Sequence, residues 1–167
     1  MRLTKLTALF SSLCLFFLIS SCDRDTNLDN SNVSRAKGLQ MSSSQEVPGN
    51  SSMGTGSIDA TYDKGSKTLT YSFSWSGLNG PAVAANVHGP ASRGTVALPP
   101  PLGRYTNGIA QTLWSPSAAK GTAGSYSGSL FVDGVVIKEA DILAGKMYIN
   151  IVTPANPTGE IRGQIEF

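Results

Sequence analysis

Leu69-Thr70-Tyr71-Ser72-Phe73-Ser74-Trp75-Ser76 decides the fold. Large apolar residues alternate without a break with small hydroxyl residues. Successive side chains of a strand point to opposite faces. The segment therefore predicts a β-strand with Leu69, Tyr71, Phe73 and Trp75 in the core and Thr70, Ser72, Ser74 and Ser76 in water. Upstream, Ile58, Ala60 and Tyr62 alternate with Ser57, Asp59 and Thr61 in the same way. Asp63-Lys64-Gly65-Ser66 separates the two runs and predicts a turn, so the pair reads as a hairpin.

The pattern extends outward from this hairpin. Ala82 to His88, Gln111 to Trp114, Tyr126 to Val132, Met147 to Val152 and the run from Ile161 to Phe167 read as further short strands. Gly89 to Gly108 is rich in Gly and Pro, includes Pro99-Pro100-Pro101, and predicts a long loop. Pro154 to Gly159 predicts a turn-rich loop. Residues 138–144 form the one helix candidate, with Gly145 placed as its C-cap. About seven to nine short strands between Gly/Pro loops predict an all-β protein. The expected architecture is an antiparallel, Greek-key-like β-sandwich of the superoxide-dismutase or immunoglobulin type.

The first residues carry a different signal. Arg2 and Lys5 precede a mostly apolar run from Leu6 to Ile19. A bilayer core of about 30 Å needs roughly 20 apolar residues as a helix, so this run is too short to span it. It has the size of the apolar part of a secretory signal. Leu18-Ile19-Ser20-Ser21-Cys22 resembles a bacterial lipobox. The resemblance implies cleavage before Cys22 and lipid attachment to Cys22. The alternative is an ordinary signal cut near Ser21. The expected organisation is a leader over 1–21, a flexible polar tether over 22–38 and one domain over 39–167. Asp23 and Asp25 stand just after the lipidation position, as a sorting signal or as part of a soluble spacer.

Removing the leader leaves 146 residues with eleven Lys and Arg against eleven Asp and Glu. A neutral domain without a basic patch does not fit nucleic acid, whose binding rests on neutralising phosphates. Of the two cysteines, Cys14 leaves with the leader and Cys22 is acylated, so no internal disulfide is expected. No second apolar stretch approaches a membrane span. The expected partners are the membrane, reached through the N-terminal lipid, and an unidentified envelope or extracellular ligand. The expected location is the bacterial cell envelope, at the outer membrane or cell surface.

Four further segments carry a family resemblance: Ser44-Gln45-Glu46-Val47-Pro48, Leu69 to Leu78, Ala84-Ala85-Asn86-Val87-His88-Gly89-Pro90-Ala91, and Leu143 to Ile151 with Pro157 to Ile165. In this order and spacing they resemble the CHRD domain, the module named for its occurrence in chordin. The resemblance covers about Leu39 to Phe167. It implies an extracytoplasmic β-sandwich. Relatives in animals belong to a regulator of growth-factor signalling, and bacterial ones are envelope proteins without an agreed activity.

The Asn86-Val87-His88 segment is also similar to the His-x-His strand of copper/zinc superoxide dismutase. Residues i and i+2 of a strand share a face, so two imidazoles there can reach one metal. Many CHRD sequences have His at both positions and a third His on the strand Tyr148–Thr153. Here the three places hold Asn86, His88 and Val152. His88 is the chain's one histidine. One imidazole, an amide and no free thiol fall short of a copper or zinc site. Asn86 and His88 thus read as a remnant ligand site at most, with His88 otherwise hydrogen-bonded at a strand end, and no metal or cofactor is expected.

No serine sits in a Gly-x-Ser-x-Gly elbow, so no catalytic triad is assigned. Glu160 and Arg162 are two apart and read as an outer-face charge pair. Gln45 to Pro48 reads as a strand-end element or a ligand loop. Trp114 and Tyr105 lie outside the strong alternation; they either pack over one end of the fold or form an exposed sugar-binding platform. The functional expectation is a lipid-anchored, non-catalytic binding or structural module. The alternatives are a degenerate dismutase-like metalloprotein and a carbohydrate-binding lipoprotein.

Overall fold

The computed structural model describes residues 32–167. The expected leader, Cys22 and the first part of the expected tether lie outside the described residues. Eight strands make the fold: β1 Val33–Ser42, β2 Thr55–Asp63, β3 Thr68–Ser76, β4 Ala84–His88, β5 Ile109–Trp114, β6 Gly124–Phe131, β7 Met147–Thr153 and β8 Asn156–Ile165. One short helix, α1, spans Glu139–Leu143. Among the described residues no helix is long and apolar enough to cross a membrane.

The strands form one antiparallel sheet in the order β5-β4-β7-β8-β1-β2-β3-β6. The all-β antiparallel class is as the alternation predicts. The expected two sheets are instead two halves of one, joined where Ser42 of β1 pairs with Arg162 of β8. The sheet rolls until its edge strands face each other, nearly closing a barrel. Gln111 of β5 donates through Nε2 to the Ser129 carbonyl of β6 at 3.1 Å and accepts from the Tyr71 hydroxyl at 2.7 Å.

β3 alternates as predicted: its four apolar side chains are buried and Thr70, Ser72, Ser74 and Ser76 are exposed. Phe73, Trp75, Trp114 and Tyr126 form an aromatic cluster with ring centroids 5.4–6.1 Å apart. The Trp75 indole donates to the Gly121 carbonyl at 3.1 Å, so its polar atom is satisfied within the core. The β2–β3 turn is held by Asp63, whose Oδ1 accepts from the amides of Gly65 and Ser66 at 2.7 and 3.2 Å. Ile142 of α1 inserts into the core. Gly145, with φ 65°, ends the helix as predicted.

Two boundaries differ from the sequence reading. β1 begins at Val33, so residues 33–38 belong to the sheet and not to a tether. A bulge between Ala36 and Leu39 breaks the alternation that would have revealed it. Gly38 takes φ 66° there, and its amide donates to Asp59 Oδ1 at 2.8 Å. β8 starts at Asn156, inside the stretch expected as loop, because the β7–β8 turn closes with Thr153 opposite Asn156.

Candidate functional site on the outer face of β4, β7 and β8

The inward face of these strands is Ala85, Val87, Ile149, Ile151, Ile161 and Ile165, all in the core. The outward face is polar. Register places Asn86, Asn150 and Arg162 in one row across the three strands, and His88, Tyr148 and Gln164 in the next. Sequence alternation placed Asn86 and His88 side by side, and the structure agrees. It adds Tyr148, Asn150, Arg162 and Gln164 as their neighbours.

Arg162 is 1% exposed. Its guanidinium carbon lies 3.5 Å over the Tyr148 ring, a cation–π contact. Nη1 donates to the Thr95 carbonyl at 2.7 Å, and Nη2 to the Ser92 carbonyl at 3.3 Å and Gln164 Oε1 at 2.7 Å. Gln164 Nε2 in turn donates to the carbonyls of Ala91 and Gly145 at 2.8 and 2.7 Å. The Tyr148 hydroxyl accepts from the Ala97 amide at 3.3 Å. Three side chains thus hold the loop from Gly89 to Gly108 down over the sheet, with Ala91 and Ala97 packed on Tyr148.

His88 stacks on Tyr148, with centroids 4.9 Å apart and planes 9° off parallel. Asn150 Nδ2 donates to the Thr158 carbonyl, which orients its Oδ1 toward His88 Nε2 at 3.1 Å. In that arrangement Nε2 carries the proton and donates. Burial pushes the imidazole pKa below its ordinary value, against the hydrogen bonds to Asn150 and the Gly108 backbone, while the Arg162 charge lowers it further.

Glu46 stands beside Arg162 without a hydrogen bond to it. It is 8% exposed, and its Oε1 has no hydrogen-bond partner among the described residues. Burial pushes its pKa up to about 7, with the Arg162 charge opposing. A Cβ at Gly159 would overlap this carboxyl group, and Gly159 has φ 141°, so glycine is required there on both counts.

Glu160 and Arg162 are not the exposed pair read from the sequence. Both are buried, and their partners differ. Glu160 accepts from the Ser52 hydroxyl, the Asn79 amide and the Thr153 hydroxyl. Burial pushes its pKa up, but the bonds from Ser52, Thr153 and Asn79 outweigh that and hold it below the ordinary carboxylate value. The outward face of β8 is covered by the Gly89–Gly108 loop and the segment after β1, which alternation alone does not reveal.

The other candidates resolve in the same geometry. Gln45 donates to the Gln40 carbonyl at 2.7 Å and accepts from Arg93 Nη1 at 2.6 Å, a strand-end role that also ties down the loop. Trp114 and Tyr105 are 6% and 5% exposed, so neither offers a platform. The Trp114 indole donates to the Ala82 carbonyl at 2.9 Å. Val152 pairs opposite Ala84, four residues along β7 from the position opposite His88. At roughly 3.3 Å per residue, Val152 and His88 are about 13 Å apart along the strands, so Asn86, His88 and Val152 do not converge. Among the described residues no three His, Cys, Asp or Glu groups gather as a metal site.

No curated protein and no solved structure matches the chain. The family model of the CHRD domain matches residues 38–165, from the β1 bulge to the end of β8. That span includes every residue of the polar face, and the chain belongs to the CHRD domain family.

Proposed function

We propose that this protein is a lipid-anchored envelope protein whose single CHRD domain binds or organises a partner without performing chemistry. One observation carries the non-catalytic part. Five polar residues of the family segments, Tyr148, Asn150, Glu160, Arg162 and Gln164, have their hydrogen-bonding groups occupied by one another, by neighbouring turns and by the covering loop. Such a network fixes a loop for presentation, and the two hydroxyls that meet its Glu160 carboxylate, those of Ser52 and Thr153, are buried with it away from any substrate. The lipid part is supported by the Leu18 to Cys22 segment and the polar stretch that follows it.

The test uses protein purified from membranes of cells expressing the full chain. Fatty-acid labelling is expected on the wild type and absent from Cys22→Ser. His88→Gln is expected to keep the fold and to leave metal content unchanged. Stoichiometric copper or zinc lost in His88→Gln would favour the dismutase-like reading. Equal labelling of the two chains would contradict the anchor. The carbohydrate-binding reading loses support, since both aromatic rings that motivated it are buried.

A further inference from the structure

We propose that the rim of the barrel where the chain enters the domain is a lipid-facing surface, resting on the lipid-anchored reading above. Val33, Asp63, Thr68 and Phe131 lie in one row across β1, β2, β3 and β6. The Lys64 amide donates to the Asn32 carbonyl at 2.8 Å, and the Val132 amide to the Lys67 carbonyl at 2.8 Å. The entry point, the β2–β3 turn and the segment after β6 therefore share one rim.

That rim carries four of the nine large apolar side chains exposed among the described residues. Phe131 is 62% exposed, Val135 76% and Val136 50%. Asp133 fixes the loop that presents the two valines, its Oδ1 accepting from the amides of Val135, Val136 and Ile137 at 2.8–2.9 Å. Leu143 of α1 is exposed at the same end, and Arg104 pairs with Asp141 of α1, which brings exposed Leu102 toward it. The opposite rim exposes only Met53 among the large apolar residues described there.

Chain length selects lipid as the occupant. Lys64, Lys67 and Lys138 flank the apolar residues, and among the described residues none of them is in an ion pair. Asp63, Asp133 and Glu139 stand on the same rim and accept only neutral hydrogen bonds, so the rim carries both signs of charge. Exposed apolar side chains flanked by long lysine stems fit the interfacial region of a bilayer. Nine residues separate Cys22 from Asn32, ten Cα steps in all. Fully extended, they reach at most about 35 Å. Strands of nine or ten residues, tilted as in a barrel, make it roughly 25 Å long. Turning the opposite rim to the membrane would use most of the tether, whereas the entry rim reaches lipid with most of it to spare.

The experiment uses acylated full-length protein in phosphatidylglycerol-containing vesicles, with a fluorophore on Val135→Cys or Met53→Cys. Both positions are exposed, so the labels leave the core untouched. The mass of the Cys22 peptide is measured on the same sample. A severalfold loss of quenching by a water-soluble quencher is expected at position 135 on vesicle insertion, with no change at position 53. Acylated protein with equal quenching at both positions overturns the lipid-facing rim and leaves the anchor standing. A Cys22 peptide without lipid overturns the anchored reading and this surface with it.

Discussion

Glu46→Gln separates the buried carboxyl from every other source of pH dependence in this domain. The ordinary pKa of the group is 4.5 and the folded value is about 7, because burial disfavours the ionised form more than Arg162 favours it. Between these values the folded chain holds a proton that the unfolded chain has released. Stability therefore falls as pH rises through this window, and the contribution is complete only below 4.5. At roughly 1.4 kcal/mol per tenfold, the contribution is about 3 kcal/mol, of which about 2.5 is lost between about pH 5 and pH 8. Glutamine has the same shape and no proton to lose, so its profile lacks this slope. His88 acts in the opposite sense: its lowered pKa means the unfolded chain takes up the proton first as pH falls, so its contribution is lost toward acid. The comparison of the two chains cancels His88. The assay is urea unfolding across this range. With a urea slope of about 1–3 kcal/mol per molar, the wild-type midpoint should drop by about 1 M or more relative to Glu46→Gln. Parallel profiles for the two chains would refute the buried, unpartnered carboxyl.

Other perturbations read separate parts of the account. Trp75→Ala should cost about 3–5 kcal/mol in denaturant unfolding through lost burial and a cavity, while Ser74→Ala on the exposed face should stay within about 0.5 kcal/mol; equal costs would contradict the facing of β3. Arg162→Met should speed amide exchange across 91–97 more than across β2 and β3, since the carbonyls of Ser92 and Thr95 lose their donor; uniform exchange would contradict the clamp. Asn86→His with Asn150→His should create a zinc site with His88, because Asn86 pairs with Asn150 and His88 already reaches Asn150. Asn86→His with Val152→His should bind more weakly, and calorimetric titration of the two variants decides between them.

The sequence made the strands legible wherever one face was core and the other water. β2, β3 and the inward side of β4 and β7 follow directly from alternation, and Gly145 marked the end of α1. β1 is hidden because the bulge at Lys37-Gly38 shifts its register at the residues that would show the period. The polar face is hidden for a different reason. Alternation tells that Arg162 and Gln164 share a face, but not that a loop of Gly and Pro returns to cover it. That cover turns an apparent surface pair into buried groups with separate partners. The burial of Glu46 carries no sequence signal, since Gly159, which packs against its carboxyl group, is more than a hundred residues away. Asn86 and His88 were rightly placed together, yet Asn150, which holds His88, carried no signal beyond its parity with Tyr148.

Native mass spectrometry of the full chain, extracted from membranes in mild detergent without chelators, tests the central claim most directly. The account predicts a chain that begins at an acylated Cys22 and carries no metal ion. A chain without lipid on Cys22, or one holding stoichiometric copper or zinc, would contradict it.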